Sequence, residues 1–426
     1  MSLFDDILTT DSVIKEIKTF IHLHLPIKQK LKKEYAEVFT CYEMICKMLD
    51  KLPNNVWNNP ELKWLEPSCG VGGFMAVVYC RLMNGLHDWC PNIVVRSEHI
   101  LRNMLFMVDL NNENIDICRK FFLKIHLSVS NNSIDSTTDS TTDSTVSNII
   151  CADFLLWETE KRYNIILGNL PFQSKSCKGG KNKLYEKMMN RCLDLFTDYI
   201  LVITPDNIFS GGSKIYERIL AETHVNMIDF AKSNQDFFPE IQIYICYFLL
   251  EREVGKSNTN IICNDGSKME MRLLNRVINP VRDWNPATEQ LVEKYIGTNK
   301  NNVVYCRGQN VSSYIYEYGV PTYSLIYTPK QNLYTSHESL ATGRGIPKIV
   351  VFSISVNLEF KEDFEGYYGS GPNTFYIPVK DAAEGAKIAA FLKSHDYRVL
   401  ALATKTNRQF LKSALLQYLK LEDLIV

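Results

Sequence analysis

The chain has 426 residues, enough for two domains or one large one, and its 46% hydrophobic, 22% charged and 11% aromatic composition is that of a globular protein. A formal charge of −1 excludes a global positive field, so any polyanionic partner has to be met by local basic patches. Twelve cysteines without a C-x-x-C pair, no charged-then-apolar leader and no apolar run of membrane-spanning length give the expectation of a reduced, intracellular protein that does not enter a membrane. His22 and His24 stand two apart with no companion at a metal-ligand spacing, so no metal site is expected.

Residues 11–52 read as helical, with EVFTCYEMICKMLDKL carrying apolar positions at three- and four-residue spacing. LKWLEPSCGVGGFMAVVYCRLM follows as a short apolar stretch, a Gly-rich turn and a helix. NMLFMVDLNNENIDICRKFFLKI repeats the order, its strand closed by an acid. A low-complexity stretch, SVSNNSIDSTTDSTTDSTVSN, is too poor in apolar residues to order itself and reads as a disordered insertion at about 128–148. NIICADFLLW, YNIILGNLPF and DYILVITPDNIF are each an apolar strand that ends in a polar or Gly/Pro turn. Strand, turn and helix in repetition predict an α/β fold with a doubly wound, Rossmann-like parallel sheet. Polar EREVGKSNTNIICNDGSKME marks a boundary near residue 255, giving domains 1–255 and 256–426. The second is expected to mix α and β, from PKIVVFSISVNLEF and NTFYIPV to AAEGAKIAAFLKS and TNRQFLKSALLQYL.

Open α/β sheets place their chemistry where strands empty into loops. In EPSCGVGGF, Gly70, Gly72 and Gly73 let a ligand approach the backbone, and the helix start favours an anionic group. Asp109 ends the next strand, where an acid suits ribose hydroxyls; it equally suits capping the following helix. Asp153 beside Phe154 is suited to an adenine amino group and its ring face. Three strand ends so equipped point to a cofactor that contains adenosine, and the turn lacks the P-loop pattern.

Asn169, Leu170, Pro171 and Phe172 combine a side-chain carbonyl, a main-chain carbonyl whose residue is held extended by the proline after it, and a ring. Two acceptors on an exocyclic adenine amine draw it toward a tetrahedral arrangement and stabilise positive charge as a methyl group arrives. A flat ring gives the base a face to stack on, worth roughly 1–3 kcal/mol.

With these motifs in this order, the chain resembles the gamma-class N6-adenine DNA methyltransferases of the TaqI type, with a C-terminal target recognition domain. The resemblance rests on residues 35–250. It implies S-adenosyl-L-methionine as cofactor, held by Thr40, by Glu66, Pro67, Ser68, Cys69, Gly70 and Gly72 of EPSCGVGGF, by Asp109 with Leu110, by Asp153 with Phe154, and by Asn169. It implies catalysis by Asn169 through Phe172, with Phe172 and Phe238 against a flipped base. Leu170 replaces a family proline, which adds an N–H and frees a dihedral; Cys41 stands where proline commonly follows the threonine. The implied substrate is adenine in double-stranded DNA, with a separate restriction endonuclease as possible partner and the enzyme a monomer. Related loops also methylate RNA or protein glutamine, and a cofactor- or DNA-binding partner subunit is the non-enzymatic alternative.

Lys178, Lys181 and Lys183 in QSKSCKGGKNKLYEK suit DNA phosphates and equally a solvated loop. Arg344, Lys348, Lys405 and Arg408, beside turns in TGRGIPK and ATKTNRQF, are candidate DNA contacts that are also compatible with a plain solvated surface.

Overall fold

The computed structural model describes residues 17, 19–21, 40–130, 144–172, 183–238, 243–253, 258–281, 283–306, 323–326, 328, 332–335, 341–353, 358–371, 373–405 and 411–425. The chain divides into two compact units, one of Met1–Ile208 with Glu217–Leu274 and one of Phe209–Tyr216 with Asn275–Val426.

The first unit is built on a nine-stranded sheet. Its strands are β1 (Trp64–Glu66), β2 (Leu105–Asp109), β3 (Ile149–Cys151), β4 (Tyr163–Asn169), β5 (Phe196–Pro205), β6 (His224–Asp229), β7 (Ile245–Glu251), β8 (Thr259–Ile262) and β9 (Lys268–Met271), in the order β3-β2-β1-β4-β5-β7-β6-β8-β9. The first five strands run parallel, and β7 enters antiparallel between β5 and β6. The chain moves outward from β1 to β3 and then returns to pair β4 with β1, so the winding direction reverses between those two strands. Loops diverge at such a switch point and leave a crevice at the carboxyl ends of the strands.

Local sequence explains the central elements. In β4 the residues Ile165, Ile166 and Leu167 are fully buried, as expected of a parallel strand covered on both faces. Helix α1 (Tyr42–Leu49) buries Met44, Ile45, Met48 and Leu49. Helix α2 (Gly73–Gly85) buries Phe74 through Tyr79 and Leu82, an apolar surface all round that suits an interior helix. Helix α3 (Asn112–Ser130) continues through residues 128–130, so the expected insertion begins later than residue 128; residues 131–143 lie outside the described residues. Most of the helix expected over 11–52 also lies outside them, apart from α1 and the helical residues Ile17 and 19–21.

The first unit also runs past the expected boundary at 255, because β8 pairs parallel with β6 and β9 closes back on β8. The second unit has a four-stranded antiparallel sheet, β10 (Val304–Cys306), β16 (Thr374–Pro378), β13 (Lys348–Phe352) and β14 (Phe360–Asp363), in that order. A three-stranded sheet joins β12 (Asn332–Thr335), β11 (Tyr323–Ile326) and β15 (Gly369–Ser370). Helices α4 (Pro286–Tyr295), α5 (Ala382–Leu392) and α6 (His395–Ala403) contribute Val292, Ile388 and Leu400 to the core that Ile349 and Phe375 also enter.

Candidate active site

At the switch point the ends of β1, β2, β3 and β4 open on one cavity of about 370 Å3. Thr40, Glu66, Pro67, Ser68, Cys69, Gly70, Asp109, Leu110, Asp153, Phe154 and the whole Asn169–Phe172 segment line it. Thr40 and Asn169, 129 positions apart in sequence, therefore meet at the point where the sheet reverses its winding.

Gly72 shapes the turn without lining the cavity. Its φ is +88°, and a Cβ there would lie 2.7 Å from the Cys118 sulfur, so a side chain has neither the conformation nor the space. The turn is held to β2 by Asp109, whose Oδ2 accepts from Gly70 N–H at 2.8 Å while Oδ1 accepts from Asn111 N–H at 2.8 Å. The cap of α3 is Asn111, whose side chain accepts from Glu113 N–H at 3.0 Å. Asp109 is thus a fastener of the Gly-rich turn rather than the helix cap.

The loop after β4 is fixed from three sides. Asn169 directs its amide nitrogen at Thr40 Oγ1, 3.3 Å away, which turns its carbonyl oxygen to the other side. Ser68 Oγ donates to the Asn169 main-chain carbonyl at 3.1 Å. Leu170 N–H, the donor that a proline would lack, bonds the Ile203 carbonyl of β5 at 3.2 Å, and its side chain is fully buried. Gly168, with φ +139°, brings the strand end against Glu66, whose Cγ lies 3.3 Å from where a Cβ would stand.

Glu66 is 2% exposed, and its Oε2 has no hydrogen-bond partner among the described residues. Burial, then the nearby Cys118 and Asp109, push its carboxyl well above the usual carboxylate range. Burial and a hydrogen bond with Cys118 likewise raise the Cys69 thiol. A buried carboxyl that lines the cavity can exchange a hydrogen bond with a bound polar group.

Phe172 lines the cavity and is 9% exposed; Phe238 is buried at 3% exposure and does not line it. Lys183 pairs with Glu186 at 2.6 Å, and Lys178 and Lys181 lie outside the described residues. In the second unit Arg344 is exposed, whereas Lys348 is fully buried with its Nζ 2.5 Å from Asp363, so it is a core post and not a surface contact. Lys405 is 7% exposed, its ammonium pushed below its ordinary value by burial, then by Arg398, which removes it from the accessible surface. Arg408 lies outside the described residues. Ile45, Asn111, Leu155, Lys187 and Met188 line the cavity without having been singled out in the sequence. Asn111 was legible as the polar residue after the strand-ending acid; Lys187 was one lysine among several.

Residues 103–238 match the model of the Eco57I restriction-modification methylase family. That segment holds Asp109, Asp153 and Asn169–Phe172, and of the second unit it includes only Phe209–Tyr216. An uncharacterised adenine-specific methylase of Mycoplasma pneumoniae is 23% identical over 292 residues, covering 53% of this chain and 69% of that protein. Among solved structures, the Type IIL restriction-modification enzyme MmeI in complex with DNA superposes with a TM-score of 0.58 at 13% identity, over 94% of this chain and 70% of that one. A nuclease-deletion mutant of the Type ISP restriction-modification enzyme LlaGI, with a DNA substrate mimic, gives 0.57 at 10% identity, over 89% of this chain and 46% of that one. At these identities the structural likeness concerns the fold.

Proposed function

We propose that the protein is a DNA adenine methyltransferase that moves a methyl group from S-adenosyl-L-methionine to the N6 amine of an adenine flipped out of duplex DNA. The observation that carries this reading is the single cavity shared by the Gly-rich turn and the Asn169–Phe172 loop, within and beside the segment that matches a methylase family. The similarity to an adenine-specific methylase and to the fold of DNA-bound restriction-modification enzymes supports the choice of substrate.

The residues fit the cofactor. The cavity falls within the volume range of small-molecule sites, roughly 300–1,000 Å3, and Glu66 Oε2 is a buried oxygen with no hydrogen-bond partner among the described residues. Asp109 and Leu110 would meet the ribose and adenine edge, Asp153 and Phe154 the adenine, and Thr40 with the turn from Glu66 to Gly70 the methionine end. The bound sulfonium supplies an electrophilic methyl group.

This chain's own part is orientation. Asn169 and the Leu170 carbonyl accept the two amine hydrogens, and Phe172 covers the base. The amine gains positive charge as the methyl arrives, and fixed acceptors stabilise it without a strong base. Extracting the base costs a few kcal/mol, offset in part by stacking. Leu170 N–H is satisfied by Ile203, so the extra donor leaves no unmet bond and favours an active enzyme over a partner subunit.

The test is N6-methyladenine in the DNA of cells that otherwise lack it, measured by mass spectrometry for the parent and for Asn169→Ala. Methyladenine with the parent alone is expected. Its absence with the parent, cofactor binding being intact, overturns the DNA reading.

A further inference from the structure

Two loops of the second unit, 341–347 and 364–368, are fastened to one another from beneath. Lys348 Nζ, fully buried, lies 2.5 Å from Asp363 Oδ2, 2.6 Å from the Tyr368 carbonyl and 3.2 Å from the Ile346 carbonyl. Asp363 in turn accepts from Tyr367 N–H at 2.9 Å and Tyr368 N–H at 3.1 Å. Gly345 N–H bonds the Gly366 carbonyl at 2.9 Å, and Ser370 N–H bonds the Thr342 carbonyl at 2.8 Å. At Gly366 the backbones touch so closely that a Cβ would lie 2.9 Å from Gly345.

What this post holds up is exposed. Thr342, Arg344, Ile346, Glu365 and Tyr367 all face outward, with Ile346 37% and Tyr367 69% exposed. The Arg344 guanidinium lies 5.0 Å from the centre of the Tyr323 ring, which restrains it as a flat, forked donor before any partner arrives. A buried ion pair is costly to desolvate and is no general source of stability. Its position under two loops accounts for it as a device that fixes their geometry.

We propose that this two-loop tip reads base edges of duplex DNA, with Arg344 the reader of a guanine and Ile346 and Tyr367 its apolar and aromatic neighbours. The proposal rests on the DNA reading above. Charge distinguishes base edges from phosphates as the target: Arg344 and Glu365 cancel, so the tip has no net attraction for the backbone. A forked guanidinium matches guanine O6 and N7, and an aliphatic side chain suits a thymine methyl group. Lys348 and Asp363 are positioning residues.

The test uses the full chain and a plasmid pool of randomised sites, read on single molecules for methyladenine, with cofactor affinity measured for each variant. Arg344→Ala should lower the preference for one G·C pair roughly 5- to 150-fold and leave the salt dependence of binding unchanged. Arg344→Lys, which keeps the charge and loses the fork, should do the same. Tyr367→Ala should weaken preference at an adjacent position. If the parent methylates a defined motif and Arg344→Ala and Tyr367→Ala both keep that motif, the tip is not the reader. A uniform loss over all sequences with a shallower salt slope makes Arg344 a phosphate contact and equally overturns the proposal. If the parent methylates no DNA, the substrate assignment fails first and the tip falls with it.

Discussion

Leu170→Pro restores the two-proline loop of the TaqI-type enzymes, and on sequence grounds it should tighten the catalytic turn. The structure reverses that expectation. The leucine N–H bonds Ile203 O at 3.2 Å, and the side chain is fully buried. Losing the bond and leaving a buried carbonyl short of a donor costs about 1 kcal/mol or somewhat more. Trimming the buried side chain to a proline ring costs about 1–2 kcal/mol. The stiffer unfolded chain returns about 0.4–1 kcal/mol. The net is a destabilisation of about 2 kcal/mol, which in a unit of this size lowers Tm by roughly 4–8 °C. Thermal unfolding and single-turnover methyl transfer, each with saturating cofactor, are the assays. A variant as stable as the parent, or one that transfers faster, would refute the view that Leu170 is built into the β4–β5 ladder.

Asn169→Ala should reduce transfer by at least 100-fold while calorimetry shows cofactor affinity changed far less; near-normal transfer would remove Asn169 from the chemistry. Glu66 has a folded value raised above its unfolded one, so the stability it contributes is full below the unfolded value and is lost as pH rises through the folded value. Glu66→Gln, neutral at every pH, should therefore lose less stability than the parent as pH rises above the ordinary carboxylate range, and parallel profiles would show that the Glu66 carboxyl is not raised. Lys47 at the end of α1 bonds Asn234 at 2.6 Å and lies 3.1 Å from Asp229, a fully buried acid at the end of β6. Lys47→Met strands that acid and should cost about 2 kcal/mol, less than a fully buried pair because the lysine is partly exposed. Adding Asp229→Asn should recover part of the loss in chemical denaturation, and additive losses would mean the two do not interact.

Most of the first unit was legible because its signals are local. The parallel strands are short apolar runs that empty into polar turns, so Glu66, Asp109, Asp153 and Asn169 stand at readable positions, and all four line the cavity. What was not legible depends on pairing between distant segments. Nothing in EREVGKSNTNIICNDGSKME announces that Asn260–Ile262 will pair with Met227–Asp229 and carry the unit past residue 255. Leu170 was read as a gap in a motif because its partner, Ile203, is a residue of another strand. The place of Asp109 depends in the same way on a distant segment, through the Gly70 N–H that reaches it from the turn after β1.

TGRGIPK shows the same limit within seven residues. Arg344 and Lys348 read alike, as cations beside a Gly/Pro turn, and they end on opposite sides of the surface. Lys348 opens β13 opposite Asp363 of β14 and Pro378 of β16. The carboxylate and two loop carbonyls within 3.2 Å supply the partners a buried ammonium requires. Burial still pushes that ammonium below its ordinary value, with Asp363 acting in the opposite direction. Arg344, four residues earlier, lies in the turn that this anchor supports, with its guanidinium over the face of Tyr323. Charge in a sequence therefore marks a candidate contact, and the strand register that follows decides whether the charge is the contact or the post beneath it.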